Sequence, residues 1–124
     1  MSGERILVVE DNAMNMKLFR DVLVATGYST LEATTGGEAV SLATEHVPSL
    51  VLMDIELPDI DGVEALHRLR ADGRTASIPI VAVTAQAMRG DRERFLAEGF
   101  DGYVAKPVNL RELLASVRFY CGAA

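Results

Sequence analysis

Cysteine is nearly absent from this chain of 124 residues, which carries Cys121 alone, close to the C-terminus. One cysteine excludes an internal disulfide framework and a thiolate metal site. Long apolar runs are absent too, since none approaches the roughly 20 residues of a transmembrane helix. The first apolar run, residues 6–9, is also too short for a signal peptide. These absences predict a cytoplasmic protein without membrane insertion, and the length suits a single domain over residues 1–124.

Basic residues are fewer than acidic ones, 12 against 18, which gives a net charge of −6. Such a chain has no general attraction to nucleic acid, although acids gathered in one place would attract a cation. Neither a GxxxxGK loop nor a GxGxxG loop after the first predicted strand is present, which excludes P-loop NTPases and argues against dinucleotide binding. No Ser–His pair follows the predicted strands, so acyl transfer is not expected.

The chain does contain five short β-branched apolar runs that alternate with longer amphipathic ones. The runs predict strands at 6–9, 30–33, 50–53, 80–83 and 102–105. The amphipathic stretches predict helices at 14–26, after Gly36-Gly37 to about 45, from Gly62 to about 70, from about Met88 to Gly99, and after Asn109. This alternation is typical of βαβ units, and strands that are almost wholly apolar are covered by helices on both faces. We therefore expect an α/β doubly wound three-layer sandwich with a five-stranded parallel sheet.

Apolar residues recur at helical spacing in two of the predicted helices. In the first helix the stripe is Met14, Leu18 and Val22, with Phe19 and Leu23 beside it. In the last helix, which Asn109 begins as N-cap, the apolar residues are expected to form the inner face. They are Leu110, Leu113, Leu114 and Val117.

Polar residues follow the predicted strands at the point where each strand ends. Glu10 and Asp11 follow the first strand, Asp54 the third, Thr84 the fourth and Lys106 the fifth. Ligands of such sheets bind beyond the carboxyl ends of the strands, so these side chains should share one rim. Two carboxylates about 4 Å apart repel by roughly 4 kcal/mol at an effective dielectric near 20. A Mg²⁺ ion would remove that repulsion, because it prefers oxygen ligands and shares its shell with phosphate.

The nucleophile at this rim is a carboxylate, and carboxylates form aspartyl-phosphate intermediates. Phosphoryl transfer needs mainly positioning and charge neutralisation, to which Lys106 and Thr84 can add a cation and a hydroxyl donor. Each residue alone has a simpler interpretation: the acids as loop or cap residues, Lys106-Pro107 as a solvated turn, Thr84 as a packing residue. Five fitting residues at four strand ends favour a phosphoryl-transfer site.

These residues lie in segments that resemble the receiver domain of two-component response regulators over nearly the whole chain. The matching segments are ILVVEDN, VLMDIELPDIDG, IPIVAVTA and GYVAKP. Within that CheY-like superfamily the chain looks most like single-domain cell-cycle regulators of the DivK type, and receivers of hybrid histidine kinases look similar. The resemblance implies a flavodoxin-like sheet of strand order 2-1-3-4-5. It also implies a phospho-acceptor switch, not an enzyme acting on another substrate, although the switch assists its own phosphoryl transfer.

The resemblance assigns roles around the acceptor. Asp54 matches the phospho-acceptor and also a ligand of Mg²⁺, for which Mn²⁺ is a substitute. Asp11 matches a direct metal ligand, and Glu10 acts through metal-bound water. The backbone carbonyl of Glu56 matches the third protein ligand.

A second group of residues matches the switch itself. Thr84 matches the hydroxyl that moves toward the phosphoryl group, and the small Ala85 matches a position that leaves the acceptor accessible. Tyr103 matches the aromatic residue whose rotation follows Thr84. Lys106 matches the phosphate-binding lysine, and Pro107 matches a proline after a cis peptide bond.

Protein partners are also implied by the resemblance: a histidine kinase or histidine phosphotransfer protein upstream and a protein target downstream, with the chain a monomer or a weak dimer. The upstream partner would contact the first helix at Asn12, Met14, Asn15 and Leu18, although core packing of Met14 is an alternative. The surface that phosphorylation retunes would include Met88, Arg89, Arg92 and Tyr103.

Four alternatives stay open at this point. An FMN-binding flavodoxin would share the architecture, but the loop EDNAMN would repel a phosphate without a metal. A pseudo-receiver would bind partners without phosphorylation. A small Asp-based phosphatase would need a second Asp at the position of Glu56. The chain could also be a receiver module cut from a hybrid histidine kinase.

Overall fold

Five strands form one parallel sheet in the computed structural model, which describes residues 4–85 and 90–121. The strands are β1 Arg5–Val9, β2 Ser29–Ala33, β3 Leu50–Asp54, β4 Ile80–Thr84 and β5 Gly102–Ala105. The helices are α1 Ala13–Thr26, α2 Gly36–His46, α3 Gly62–Ala71, α4 Asp91–Glu98 and α5 Leu110–Cys121. The strand order is 2-1-3-4-5, and all four pairings are parallel, which confirms the predicted fold class.

The strands are apolar on both faces because each face of the sheet carries helices. Successive side chains of a strand point to opposite faces. Leu7 and Val9 accordingly join one core cluster, whereas Ile6 and Val8 join the other. The first cluster packs with α2, α3 and α4, and the second with α1 and α5. This packing explains why the central strands are almost wholly hydrophobic and why the layers number three.

Local signals determine where several helices begin and end. The Asn12 side chain accepts a hydrogen bond from Asn15 N–H at 2.9 Å and begins α1. Asn109 accepts from the N–H groups of Arg111 and Glu112 and begins α5, as predicted. Gly27 ends α1 with φ 109°, a left-handed conformation that glycine adopts without strain.

The buried faces of α1 and α5 differ in part from the prediction. In α1 the buried side chains are Met16, Phe19 and Leu23, while Met14 and Leu18 are 82% and 41% exposed. The inner face is thus formed by Phe19 and Leu23, which lie beside the stripe of Met14, Leu18 and Val22, together with Met16. In α5, Leu113 and Val117 are buried as predicted, but Leu110 is exposed. Both helices carry apolar residues on more than one face, so periodicity alone does not identify which apolar residues are buried.

The starts of α2 and α4 were predicted after Gly36-Gly37 and near Met88. Gly36 and Gly37 do not precede α2 but form its first two residues, after the N-cap Thr35. The predicted start of the fourth helix at Met88 lies outside the described residues, and the described part of α4 begins after Gly90. None of the helices formed by residues 4–85 and 90–121 has the length and apolar character needed to cross a membrane.

Candidate functional site at the carboxyl end of the sheet

The carboxyl ends of four strands bring together the five polar residues that the sequence singled out. Glu10 directly follows β1, Asp54 is the last residue of β3, and Thr84 is the last residue of β4. Lys106 directly follows β5, and its N–H donates to Thr84 O at 2.8 Å. Because β3 lies between β1 and β4, Asp54 occupies the middle of this rim.

Three carboxylates meet at the centre of the rim. One oxygen from each of Glu10, Asp11 and Asp54 lies within 4.8 Å of the other two. Glu10 and Asp54 are buried, whereas Asp11 is exposed and leaves the cluster open to solvent. Like charges so close together repel, and a cation that binds between them relieves the repulsion. The cluster is therefore a candidate cation site open on the side of Asp11.

Lys106 partly neutralises these carboxylates. Its Nζ donates a hydrogen bond to Asp54 Oδ2 at 3.1 Å and lies 2.9 Å from Glu10 Oε1 in an ion pair. The Lys106–Pro107 peptide bond is cis, in agreement with what the resemblance implied. One lysine faces three carboxylates, so two negative charges remain in excess among these four residues. A divalent cation carries the charge that would balance them.

Burial and charge change the pKa of two groups at the rim. Burial, and secondarily the nearby Asp54 carboxylate, raises the pKa of Glu10, and the Lys106 ammonium opposes this only in part. Burial by itself would lower the pKa of Lys106, but the contacts with Glu10 and Asp54 outweigh it and leave that pKa raised. Lys106 therefore stays charged at neutral pH, while the ionised form of Glu10 is held at a cost in free energy.

The donor set fits Mg²⁺. Every candidate ligand is an oxygen, as this ion requires, and an exposed position is available for the waters that it keeps. Glu10 Oε2 accepts a hydrogen bond from Asn12 N–H at 3.2 Å, whereas the buried Glu10 Oε1 is paired with the Lys106 ammonium at 2.9 Å. That oxygen retains acceptor capacity for a water in the metal's shell. The Glu56 N–H donates to Asp54 Oδ1 at 3.1 Å, so the peptide of Glu56 lies beside the acceptor.

The residues predicted for the switch lie on the adjacent strands. Thr84 is fully buried, Ala85 is exposed, and Tyr103 is half-buried in β5, where it pairs in register with Ala82. The Tyr103 ring stacks on Phe95 of α4, with ring centroids 6.0 Å apart and planes at 21°. The structure thus packs the Tyr103 ring against α4.

The predicted partner surfaces lie only in part among the described residues. Met14 and Leu18 are exposed on α1, and Asn15 is half-buried in the first turn beside the exposed cap residue Asn12. Exposure of Met14 removes the alternative of core packing. Arg92 is exposed on α4. Met88 and Arg89 lie outside the described residues.

One contact near the rim was not predicted from the sequence. The carboxylate of Asp59, in the segment between β3 and α3, accepts hydrogen bonds from the first two N–H groups of α2. The two glycines at that helix start were noticed only as a break in the chain. A double glycine in the first turn of a helix is an unfavourable choice, and it signals a close approach of other backbone or side chains.

The chain resembles proteins of one family over almost its entire length. The model of the response regulator receiver domain matches residues 6–118. Polar-differentiation response regulators DivK from Brucella ovis and Brucella melitensis are each 44% identical over 119 residues. The alignment covers 96% of this chain and 97% of each relative.

Solved structures give the same result. The receiver domain of a sensor histidine kinase from Pseudomonas aeruginosa, solved with a magnesium ion in its active-site cleft, is 36% identical with a TM-score of 0.90. The similarity covers 98% of this chain and 99% of that one. A CheY-like receiver domain protein from Methanospirillum hungatei is 31% identical with a TM-score of 0.86, over 95% of this chain and 93% of its own.

Proposed function

The chain belongs to the response regulator receiver domain family, and we propose that it accepts a phosphoryl group on Asp54 and signals by binding a protein partner. The observation that carries the proposal is the position of Asp54. It is buried among Glu10, Asp11 and Lys106, at the middle of a rim with excess negative charge. Family membership makes two-component signalling the context of this switch.

In the proposed transfer, an Asp54 carboxylate oxygen attacks the phosphorus of a phosphohistidine. The bond from phosphorus to the imidazole nitrogen breaks as the bond to the carboxylate oxygen forms, and the leaving imidazole takes the electron pair. When bound by Glu10, Asp11 and Asp54, with the carbonyl of Glu56, Mg²⁺ would neutralise charge on the phosphoryl oxygens. Lys106 and Thr84 would then donate to those oxygens.

Phosphorylation adds about −1.5 to −2 charges at the rim. Lys106 would exchange its contact with Asp54 Oδ2 for one with the phosphoryl group, and Thr84 would turn toward it. Because Tyr103 lies in the neighbouring strand and stacks on Phe95, a shift of Thr84 would change how β5 packs against α4. The population of two packed states would change on the face formed by α4, β5 and α5.

The upstream partner we propose is a histidine kinase or a histidine phosphotransfer protein. It would contact the first turns of α1, where Met14 and Leu18 are exposed beside the rim. Methionine suits such a contact, because its flexible side chain adapts to a partner. The relatives named DivK favour an output in polar differentiation or cell-cycle control, through protein contact and not through catalysis on a second substrate.

The test is intact-protein mass spectrometry after incubation with acetyl phosphate, with and without Mg²⁺, on the wild type and Asp54→Ala. We expect the wild type to gain one phosphoryl group only with Mg²⁺, and the variant to gain none. If the wild type gains none from acetyl phosphate or from a purified phosphohistidine donor, the switch hypothesis fails. A constitutive binding module would then be the better account.

Glu56 is the side chain we propose to influence how long the phosphoryl group survives. It is exposed two residues after Asp54, and its N–H contacts the acceptor. A carboxylate there would disfavour the approach of some partners by like charge. Glu56→Asn should therefore change the rate of dephosphorylation, and an unchanged lifetime would contradict this role.

A further inference from the structure

We propose that Asp59 is a positioning residue for the phospho-acceptor site: it joins the segment after β3 to the first turn of α2 and so holds the peptide of Glu56 beside Asp54. This inference rests on the proposed function, because the segment concerned carries the carbonyl assigned to the metal. The hydrogen bonds of Asp59 and the two glycines at the start of α2 have no part in the proposed chemistry.

The hydrogen bonds of Asp59 connect two elements far apart in sequence. Gly36 N–H donates to Asp59 Oδ1 at 2.7 Å, and Gly37 N–H donates to Asp59 Oδ2 at 2.8 Å. These are the first two N–H groups of α2, which have no partner within the helix. The helix's own N-cap, Thr35, satisfies the third, because its side chain accepts from Glu38 N–H. Asp59 therefore completes the N-terminus of α2 from outside the helix.

The two glycines are needed for this contact. A Cβ atom on Gly36 would lie 2.4 Å from Cγ1 of Ile60 and 3.0 Å from its carbonyl oxygen. A Cβ atom on Gly37 would lie 3.1 Å from Asp59 Oδ2. Glycine is unfavourable inside a helix, so its presence twice in the first turn reflects the closeness of the Asp59–Ile60 segment. Ile60 also packs against the core cluster on this face of the sheet.

Two further hydrogen bonds of the segment are local. Glu56 N–H donates to Asp54 Oδ1, and Gly62 N–H donates to Ile55 O at 2.8 Å, which closes the loop on itself. Asp59 lies between these two contacts and ties the loop to α2. The same N–H groups of Gly37 and Gly36 lower the pKa of Asp59, so its carboxylate stays ionised at neutral pH. Loss of that tie would free the middle of the loop, three residues from Glu56.

The test compares Asp59→Asn with Asp61→Asn in the full chain. Both changes remove one exposed negative charge from the same loop, but Asp61 caps α3 by accepting from Glu64 N–H, and asparagine keeps that cap. Asparagine at 59 would instead turn an N–H donor toward a backbone N–H. By isothermal titration with MgCl₂, Asp59→Asn should weaken Mg²⁺ binding about tenfold, as loss of an outer-shell contact does. Asp61→Asn should weaken it only about twofold, through charge alone.

Amide hydrogen exchange of the metal-free proteins provides a second readout. Peptides that cover residues 55–61 should exchange faster in Asp59→Asn than in the wild type and Asp61→Asn, while peptides from β4 stay unchanged. Equal weakening of Mg²⁺ binding in both variants, or unchanged exchange of residues 55–61, would overturn the role of Asp59. If the wild type itself binds no Mg²⁺, the proposed metal site fails, and the exchange measurement still decides whether Asp59 holds the loop.

Discussion

The amino and carboxyl ends of the sheet differ in how their charged groups are paired. At the amino end, Arg70 donates hydrogen bonds to the carbonyl oxygens of Ala76, Ile78 and Gly99 and to the carboxylate of Asp101. At the carboxyl end, three carboxylates lie close together, and Lys106 pairs with the two that are buried. The amino end is thus neutralised by the protein itself, while the carboxyl end keeps negative charge that a cation and a phosphoryl group can use.

The difference shows that stability and function are separated along the strands. A charged group that is fully hydrogen-bonded stabilises the elements that it joins, and Arg70 joins α3 to the ends of α4 and β4. Carboxylates crowded without enough counter-charge lower the free energy of unfolding but favour ligand binding. Substitutions at the amino end should therefore change the free energy of unfolding, and substitutions at the carboxyl end should change ligand binding.

The largest expected effect is at the amino end, for Arg70→Met. Loss of the guanidinium removes a donor from three backbone carbonyls and leaves Asp101 Oδ2 with the Ile80 N–H, so the free energy of unfolding should fall by about 3 kcal/mol. Phosphoryl uptake from acetyl phosphate should change little. Urea denaturation and mass spectrometry measure the two quantities. Arg74→Met is the matched control, since its pair with Asp72 is exposed to solvent and should contribute little to stability. If Arg70→Met stayed as stable as the wild type but lost phosphoryl uptake, stability and function would not be divided between the two ends of the sheet.

Gly62→Ala should give the second largest effect, and it tests whether the carboxyl end of the sheet also has a structural requirement. A Cβ atom here would lie 2.5 Å from the carbonyl oxygen of Asp54, so the acceptor strand or α3 must shift. We expect a loss of about 2 kcal/mol in stability together with slower phosphoryl uptake. Gly73→Ala is the control, because an added Cβ meets nothing within 4 Å. Stability and uptake equal to the control would show that the close approach at Gly62 is not needed.

Glu10→Gln should stabilise the metal-free protein by about 1 kcal/mol at pH 7 while weakening Mg²⁺ binding. The pKa of Glu10 is raised from its ordinary value of 4.5 by burial and by Asp54. The folded state therefore holds the proton more tightly, and wild-type stability falls as the pH rises from 4.5 through the folded-state pKa. The stability that Glu10→Gln gains over the wild type, measured by urea unfolding, should therefore become smaller as the pH is lowered.

The control for this change is Glu64→Gln, which removes an exposed carboxylate paired with Arg68 on α3. That variant should lose about 0.3 kcal/mol and show no matching pH dependence. If Glu10→Gln were instead less stable than the wild type in the absence of metal, the crowded carboxylates would not lower the free energy of unfolding.

Val47→Asn should give the smallest effect, a gain of about 0.5–1 kcal/mol. Val47 ends α2 with φ 46° and ψ 68°, a left-handed conformation that a β-branched residue adopts only under strain. Its side chain is exposed, so little packing is lost. Val24→Asn, at an exposed valine inside α1, should be nearly neutral in thermal unfolding. A loss at Val47 would mean that its apolar contacts outweigh the strain.

The strands and the rim residues could be predicted because both follow from local sequence. Apolar runs flanked by polar residues indicate where strands end, and the third strand, expected at 50–53, ends only one residue later, at Asp54. The carboxyl ends of parallel strands then share one edge whatever the details of helix packing. This is why Glu10, Asp54, Thr84 and Lys106 were found from the sequence.

The contacts that join distant elements were not predictable in the same way. Nothing adjacent to Asp59 indicates that its carboxylate would complete the N-terminus of α2, and nothing adjacent to Arg70 indicates three carbonyl partners. The inner face of α1 could not be predicted for a related reason. Several of its stripes are apolar, and only the position of the sheet determines that Met16 is buried and Met14 is exposed.

The sequence by itself thus determined the alternation of strands and helices, the parallel sheet and the residue types at its carboxyl rim, because periodicity and strand ends are local properties. The tertiary structure decided the distances among the carboxylates, the balance of charge around Lys106, and the tie between Asp59 and α2. These depend on how close separate elements approach one another, and that closeness is determined by packing and by where glycine permits it.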